Sequence, residues 1–172
     1  MLCFQNVRLS LSYVKSLTDI GEMLPSKKIY YPYEEFRDDL KILTEKIDQS
    51  FDALIPISRG GLSMGQMLGE FYEIREVYAI NTIGYNDTQK LDEVKVFNIP
   101  DLEEAKTVLI VDDIVDSGDT LVEALKTLKK QYPKVTFLTA SIFYKPTAII
   151  EPTWWVKEPK GWIEFFWSED LR

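Results

Sequence analysis

The run from Thr107 to Leu125 limits the fold more than any other part of the chain: an apolar stretch ends in paired acids and passes through a small-residue turn into a helical pattern. Thr107–Val111 reads as a buried strand, rich in β-branched residues. Asp112 and Asp113 follow it, then Ile114 and Val115, then Asp116-Ser117-Gly118-Asp119-Thr120. Leu121, Leu125 and Leu128 share one face of a helix expected over Thr120–Gln131. A strand that hands the chain to a helix in this way is half of a βαβ unit, and such units build parallel sheets. Ligands of open α/β sheets bind outside the carboxyl ends of the strands, which is where this sequence carries its acids.

The turn has the chemistry of an anion cradle. Amides of the turn and of the first helical residues lack intrahelical partners, and the helix dipole favours negative charge there. Gly118 permits close approach and unusual backbone angles, and Ser117 and Thr120 add hydroxyl donors. Taken singly, Asp116 or Ser117 reads as a helix cap, and Asp112 and Asp113 as solvated loop acids. Taken together, two adjacent acids at the end of an apolar strand repel one another and add little stability, so a binding site is the better account.

The rest of the chain continues the alternation of strand and helix. Tyr33, Phe36, Leu40, Leu43 and Ile47 form one apolar stripe of an amphipathic helix. Ala53–Ile57 reads as a buried strand ending in the loop Ser58-Arg59-Gly60-Gly61, followed by a helix over about 62–72. Glu76–Ile83 and Val135–Phe143 read as further strands, and 84–93 as an exposed loop. All four tryptophans, Trp154, Trp155, Trp162 and Trp167, fall near the end of the chain and suggest a compact aromatic cap on the sheet. Residues 1–28 fit none of this pattern. An accessory helix, a tail, or upstream sequence before Met23 all remain open for them.

Composition narrows the function. At 172 residues the chain suits one ordinary domain. Its 28 acids exceed 20 bases, giving a net charge of −8. That balance argues against a general nucleic-acid binder, whose affinity rests on Lys and Arg. Cys3 is the only cysteine and there is no histidine. These counts exclude an internal disulfide, Ser–His or Cys–His catalysis and the usual zinc ligands. No apolar run reaches 18 residues and the N-terminus lacks a signal-like pattern, so a cytoplasmic protein is the expectation.

Residues 108–120, Val-Leu-Ile-Val-Asp-Asp-Ile-Val-Asp-Ser-Gly-Asp-Thr, resemble the phosphoribosyl-pyrophosphate motif of the type I phosphoribosyltransferases, in particular the bacterial and archaeal hypoxanthine and xanthine–guanine enzymes. The resemblance covers about 28–170. It implies an α/β fold: a mostly parallel sheet flanked by helices, with a small aromatic-rich hood at about 144–172. It makes 29–172 the phosphoribosyltransferase domain and leaves 1–28 as an extension. It further implies transfer of phosphoribose from 5-phosphoribosyl 1-pyrophosphate to a 6-oxopurine, with magnesium, in a homodimer or homotetramer. A regulator that senses the same sugar phosphate, or an enzyme for another base, is the alternative.

The same resemblance distributes roles. Asp112 and Asp113 would contact the ribose hydroxyls and the magnesium-bound pyrophosphate, with Asp113 as the metal residue. Ser117, Gly118, Asp119 and Thr120 would hold the 5′-phosphate. Asp119 is a departure, since relatives often carry glycine there, and its side chain is expected to face solvent. Ser58, Arg59 and Gly60 match the family's pyrophosphate loop, which often carries a non-proline cis peptide; read alone, they would be an ordinary turn. Lys145, in Phe143-Tyr144-Lys145-Pro146, would donate to the purine 6-oxygen. Trp162 would stack on the base, and Ile163 would offer backbone groups to its edge. Without histidine, Asp116 is the expected handler of the proton on the purine's five-membered ring. Residues 85–90 match a mobile loop over the reacting centre, with Lys90 or Lys95 reaching pyrophosphate. Trp167-Ser168 departs from relatives that carry aspartate directly after this tryptophan, which leaves the choice among 6-oxopurines open.

Overall fold

The computed structural model describes residues 27–83 and 94–170. The described strands are β1 (Lys28–Tyr31), β2 (Ala53–Ser58), β3 (Ile80–Ile83), β4 (Lys95–Phe97), β5 (Thr107–Val115), β6 (Thr136–Tyr144), β7 (Trp154–Lys157) and β8 (Trp162–Phe165). The helices are α1 (Tyr33–Lys46), α2 (Leu62–Phe71), α3 (Asp119–Gln131) and the short α4 (Phe166–Glu169). Residues 1–26 and the loop at 85–90, including Lys90, lie outside the described residues. Lys28, assigned above to the extension, begins β1.

Six strands form one sheet in the order β4-β3-β2-β5-β6-β7, parallel except for the β3–β4 pair. Strand β5 is central, and its apolar run is continuous because both faces are covered. Leu109 and Val111 pack with Phe36, Leu40 and Leu43 of α1 and Met64 and Leu68 of α2. Val108 and Ile110 pack with Leu121, Ala124, Leu125 and Leu128 of α3 on the opposite face. Asp52 fixes the entry to β5: its carboxylate accepts the amides of Lys106 and Thr107 at 2.7 and 2.8 Å.

Several expectations are refined. Strand β5 runs on through the acids to Val115 instead of stopping at Val111. Its face alternation changes there: Ile114 packs with the α1–α2 layer and Val115 with the α3 layer, and the ladder to β6 skips Asp113. Glu76–Ile83 is shorter as a strand, since only Val77 makes an isolated bridge to Leu54 before Ile80. Strand β4 carries no sequence signal, being three residues long and paired only at the sheet edge. Tyr33, expected in the buried stripe of α1, is exposed, whereas Asp39 on the same helix is buried.

The tryptophan-rich segment divides. Trp154 and Trp155 belong to β7, the edge strand of the main sheet. The hood is β8 and α4, and β8 pairs in parallel with β1, Trp162 facing Lys28 and Phe165 facing Tyr31. Trp167 stacks on Phe165 at 4.6 Å between ring centroids and meets Phe36 edge-on at 5.4 Å. No helix among the described residues is long and apolar enough to cross a membrane.

Candidate active site

Chain direction in the sheet reverses between β2 and β5. From β2 the chain moves out to β3, and from β5 it moves the other way to β6 and β7. Loops leaving adjacent parallel strands in opposite directions open a crevice at their carboxyl ends. Two loops meet in this one. After β2, the Ser58–Arg59 peptide is cis. A Cβ on Gly60 would overlap the Asp113 carboxyl group, and one on Gly61 would overlap the Val111 carbonyl oxygen. Both glycines are therefore required for the β2 loop to lie against the acids of β5. Ser58, Arg59, Gly60, Asp113, Thr82, Phe165, Trp167 and Ser168 line a cleft of about 600 Å³.

Asp112 and Asp113 are half-buried beside this crevice, and the Asp112 carboxylate accepts the Asp113 amide at 3.0 Å. Burial raises the Asp112 carboxyl well above the ordinary carboxylate range, with the neighbouring Asp113 charge adding to it. Burial also pushes Asp113 up to about 6. A cation placed beside this pair would offset burial and favour the charged form of both.

The turn after β5 forms as its residues dictate. Gly118 has φ 91°, the left-handed region, and is the N-cap of α3. A Cβ there would sit 3.0 and 3.2 Å from Ile150 and Ile149, a tight fit added to an unfavourable φ. Ser117 Oγ donates to Asp119 Oδ2 at 2.9 Å and accepts the Asp119 amide at 3.4 Å. Asp119 is exposed, as expected, but its carboxylate folds back on the loop instead of pointing away from it.

A second cleft, of about 610 Å³, lies on the hood side and is lined by Asp116, Lys145, Trp162 and Ile163 together with Ile114, Lys28, Glu164, Phe165, Ser168 and Glu169 among others. Lys145 pairs with Asp116 across it. Trp162 is 60% exposed at the lip, with its indole available to a planar ligand. The amide of Trp162 donates to the Lys27 carbonyl at 3.0 Å. Alternate residues of a parallel strand address the same neighbour, so Ile163 turns its N–H and C=O to the other edge of β8. No strand covers that edge among the described residues. The two clefts share Phe165 and Ser168. Asp112 and the segment 117–120 line neither cleft and adjoin them through Asp113 and Asp116.

Residues 30–172 match the Phosphoribosyl transferase domain. The chain belongs to the phosphoribosyltransferase family. It is 30% identical over 163 residues to the xanthine-guanine phosphoribosyltransferase of Cereibacter sphaeroides, covering 88% of this chain and 93% of that one. Among solved structures it resembles the Helicobacter pylori xanthine-guanine-hypoxanthine phosphoribosyltransferase, with a TM-score of 0.78 and 38% identity over 84% of this chain and 96% of the other. The purine phosphoribosyltransferase of Pyrococcus horikoshii superposes with a TM-score of 0.73 at 27% identity, covering 83% and 94%.

A phosphoribosyltransferase implies magnesium, and the donor set can be tested for it. Among the described residues no three His, Cys, Asp or Glu side chains cluster as a metal cage. Magnesium does not ask for one: it is commonly held by one or two carboxylates, water and substrate oxygens. Adjacent half-buried carboxylates, with the glycine loop leaving Asp113 its space, fit that mode.

Sequence reading missed Phe165, which with Ser168 forms the wall common to both clefts, and Thr82 at the far side of the first; Ser168 it read only as a departure from relatives. Phe165 and Thr82 reach the site through strand pairing between distant segments, and neither was singled out by a motif.

Proposed function

We propose that this phosphoribosyltransferase moves phosphoribose from 5-phosphoribosyl 1-pyrophosphate to a 6-oxopurine, releasing pyrophosphate and a nucleoside monophosphate. The observation that carries the reading is the pair of adjoining clefts. One holds the Ser58–Gly60 loop and Asp113, and the other holds Asp116, Lys145, Trp162 and Ile163. The purine relatives named above support the same acceptor class.

In the reaction the C1′–oxygen bond to pyrophosphate breaks, and its electron pair leaves with the pyrophosphate. A purine ring nitrogen forms the new bond to C1′ and loses its proton. Bound magnesium would supply charge neutralisation to the pyrophosphate, held by Asp113 with the substrate's own oxygens. Arg59 and the amides of the Gly60 loop add fixed positive charge on the leaving group. Asp112 and Asp113 orient the ribose through its hydroxyls and favour positive charge on the sugar. The amides and hydroxyls of Ser117, Gly118, Asp119 and Thr120 receive the 5′-phosphate.

On the acceptor side, an ammonium has donors only, so Lys145 suits an oxo group and not an amino group. Trp162 would stack on the base while the Ile163 backbone meets its edge. Asp116, paired with Lys145 before the base arrives, would take the proton from the ring nitrogen. Self-association as a dimer or tetramer, and a cytoplasmic setting, complete this reading.

Incubation with 5-phosphoribosyl 1-pyrophosphate, magnesium and hypoxanthine should yield the nucleoside monophosphate and pyrophosphate in equal amounts. Loss of proton transfer typically costs about 10²–10⁴-fold, so Asp116→Asn should lower kcat by at least about 10²-fold. Sugar-phosphate binding without pyrophosphate release would identify a sensor instead, and an unchanged kcat in Asp116→Asn would remove the proton-handling role.

A further inference from the structure

The phosphate loop contains a negative charge that works against its own ligand. A phosphate monoester accepts hydrogen bonds and offers none in its dianionic form, so its cradle must present donors. The Ser117 hydroxyl has one proton, and it is given to Asp119 Oδ2 at 2.9 Å. The Asp119 amide, one of the unpaired donors at the start of α3, leans toward Ser117 Oγ at 3.4 Å. Two of the cradle's donors are therefore turned onto the loop itself, the Ser117 hydroxyl being held there by the Asp119 carboxylate. The first turn of a helix is where an anion is most favoured, so Asp119 already occupies part of the field that would attract a phosphate. Gly118 is buried with φ 91°, and the Ile149 amide donates to the Ser117 carbonyl at 2.9 Å, which ties the loop to the segment after β6.

We infer that the Asp119 carboxylate is an internal competitor for the 5′-phosphate, setting the affinity of every ligand that enters the cradle. The inference rests on the proposed reading of 117–120 as that cradle. Binding requires the Ser117 hydroxyl to rotate from Asp119 to the phosphate and the carboxylate to turn toward solvent. The amide of Asp119 serves the ligand while its side chain opposes it. The donor substrate and the nucleotide product carry the same 5′-phosphate, so one residue weakens both. The product therefore leaves more readily, at the expense of a higher KM for the donor.

The test compares wild type with Asp119→Asn and Asp119→Ala, using calorimetric titration of ribose 5-phosphate and of the nucleoside monophosphate. Pyrophosphate and the free purine, which carry no 5′-phosphate, are titrated alongside. Removing the charge should tighten both 5′-phosphate ligands by a common factor, about three-fold in Asn and about ten-fold in Ala. Asn is the smaller effect because its amide oxygen still accepts from Ser117. Pyrophosphate and purine affinities should stay within about two-fold. Unchanged or weakened ribose 5-phosphate binding in both variants overturns the inference, as does an equal shift of all four ligands. If wild type binds neither 5′-phosphate ligand, the reading of the cradle fails, and the inference with it.

Discussion

Asp113 shows how single residues in this site trade stability for readiness. Burial holds its carboxyl up to about 6, against about 4 for an aspartate in an unfolded chain. Between those values the folded state binds the extra proton, so stability falls as pH rises through the window. Asp113→Asn removes the group that must ionise. At pH 7.5 the variant should be more stable than wild type by about 1–2 kcal/mol, less than the full shift because water reaches the site. The gain should shrink toward zero at pH 4.5, and urea unfolding at the two pH values measures it. Loss of activity should accompany the gain in stability. A variant no more stable at pH 7.5 would mean that Asp113 already has its compensating charge. The sequence made the acids legible because adjacent carboxylates after an apolar strand have no structural reason to be there. It did not reveal the Lys145–Asp116 pair or the Ser117–Asp119 bond, which depend on rotamers and on chain segments brought together by folding.

Among elements, legibility follows how local each one is. Strand β5 and helix α3 carry their own pattern and their own turn, and both start within a residue of where the pattern puts them, although β5 runs on through the acids to Val115. Strands β1 and β8 are four residues each, separated by most of the chain, and exist only as each other's partners. Tyr31 and Phe165 join this pair to the body by packing on Phe36 and Phe143, and a charge cluster with no sequence signature adds to that. The Tyr31 hydroxyl donates to Asp39, which is 7% exposed on α1. Lys157 at the end of β7 pairs with Asp39 and Glu35, both at 2.5 Å, and lies over the Tyr31 ring at 4.8 Å. Polar Asp39 was invisible as a core residue because a helix stripe is normally read from apolar residues. Removing one partner of a buried pair leaves the other without compensation, so Lys157→Met should cost about 2–4 kcal/mol, reduced from a fully buried case by partial exposure of the lysine. Asn at 39 in the Lys157→Met background should recover part of that loss. Denaturant midpoints of the two variants check this, and equal loss in both would show that Lys157 acts by packing alone.

At the scale of the molecule, the sheet and the hood divide the proposed reaction between them. The crevice between β2 and β5 is lined on the sheet side by the Ser58–Gly60 loop, Thr82 and Asp113, with Phe165, Trp167 and Ser168 of the hood closing its other wall. The base side is split between the end of β6, which brings Lys145, and β8, which brings Trp162 and Ile163. Sequence carried the first half nearly whole, since it lies in two short motifs. It carried the second half as separate residues whose meeting depends on the β1–β8 pair. Lys145, Trp162 and Ile163 line the second cleft and not the first, so changes at them would alter acceptor preference with little disturbance of the donor side, whereas changes at the shared Phe165 and Ser168 would affect both. The central claim is therefore about the acceptor, and relative turnover of hypoxanthine, xanthine, guanine and adenine tests it most directly, read as pyrophosphate released from 5-phosphoribosyl 1-pyrophosphate with magnesium. Lys145 as a donor to an oxo group predicts kcat/KM for at least one 6-oxopurine more than about 10²-fold above that for adenine, the scale of discrimination when a polar partner is left unmatched. Adenine turned over as well as the best 6-oxopurine would contradict it.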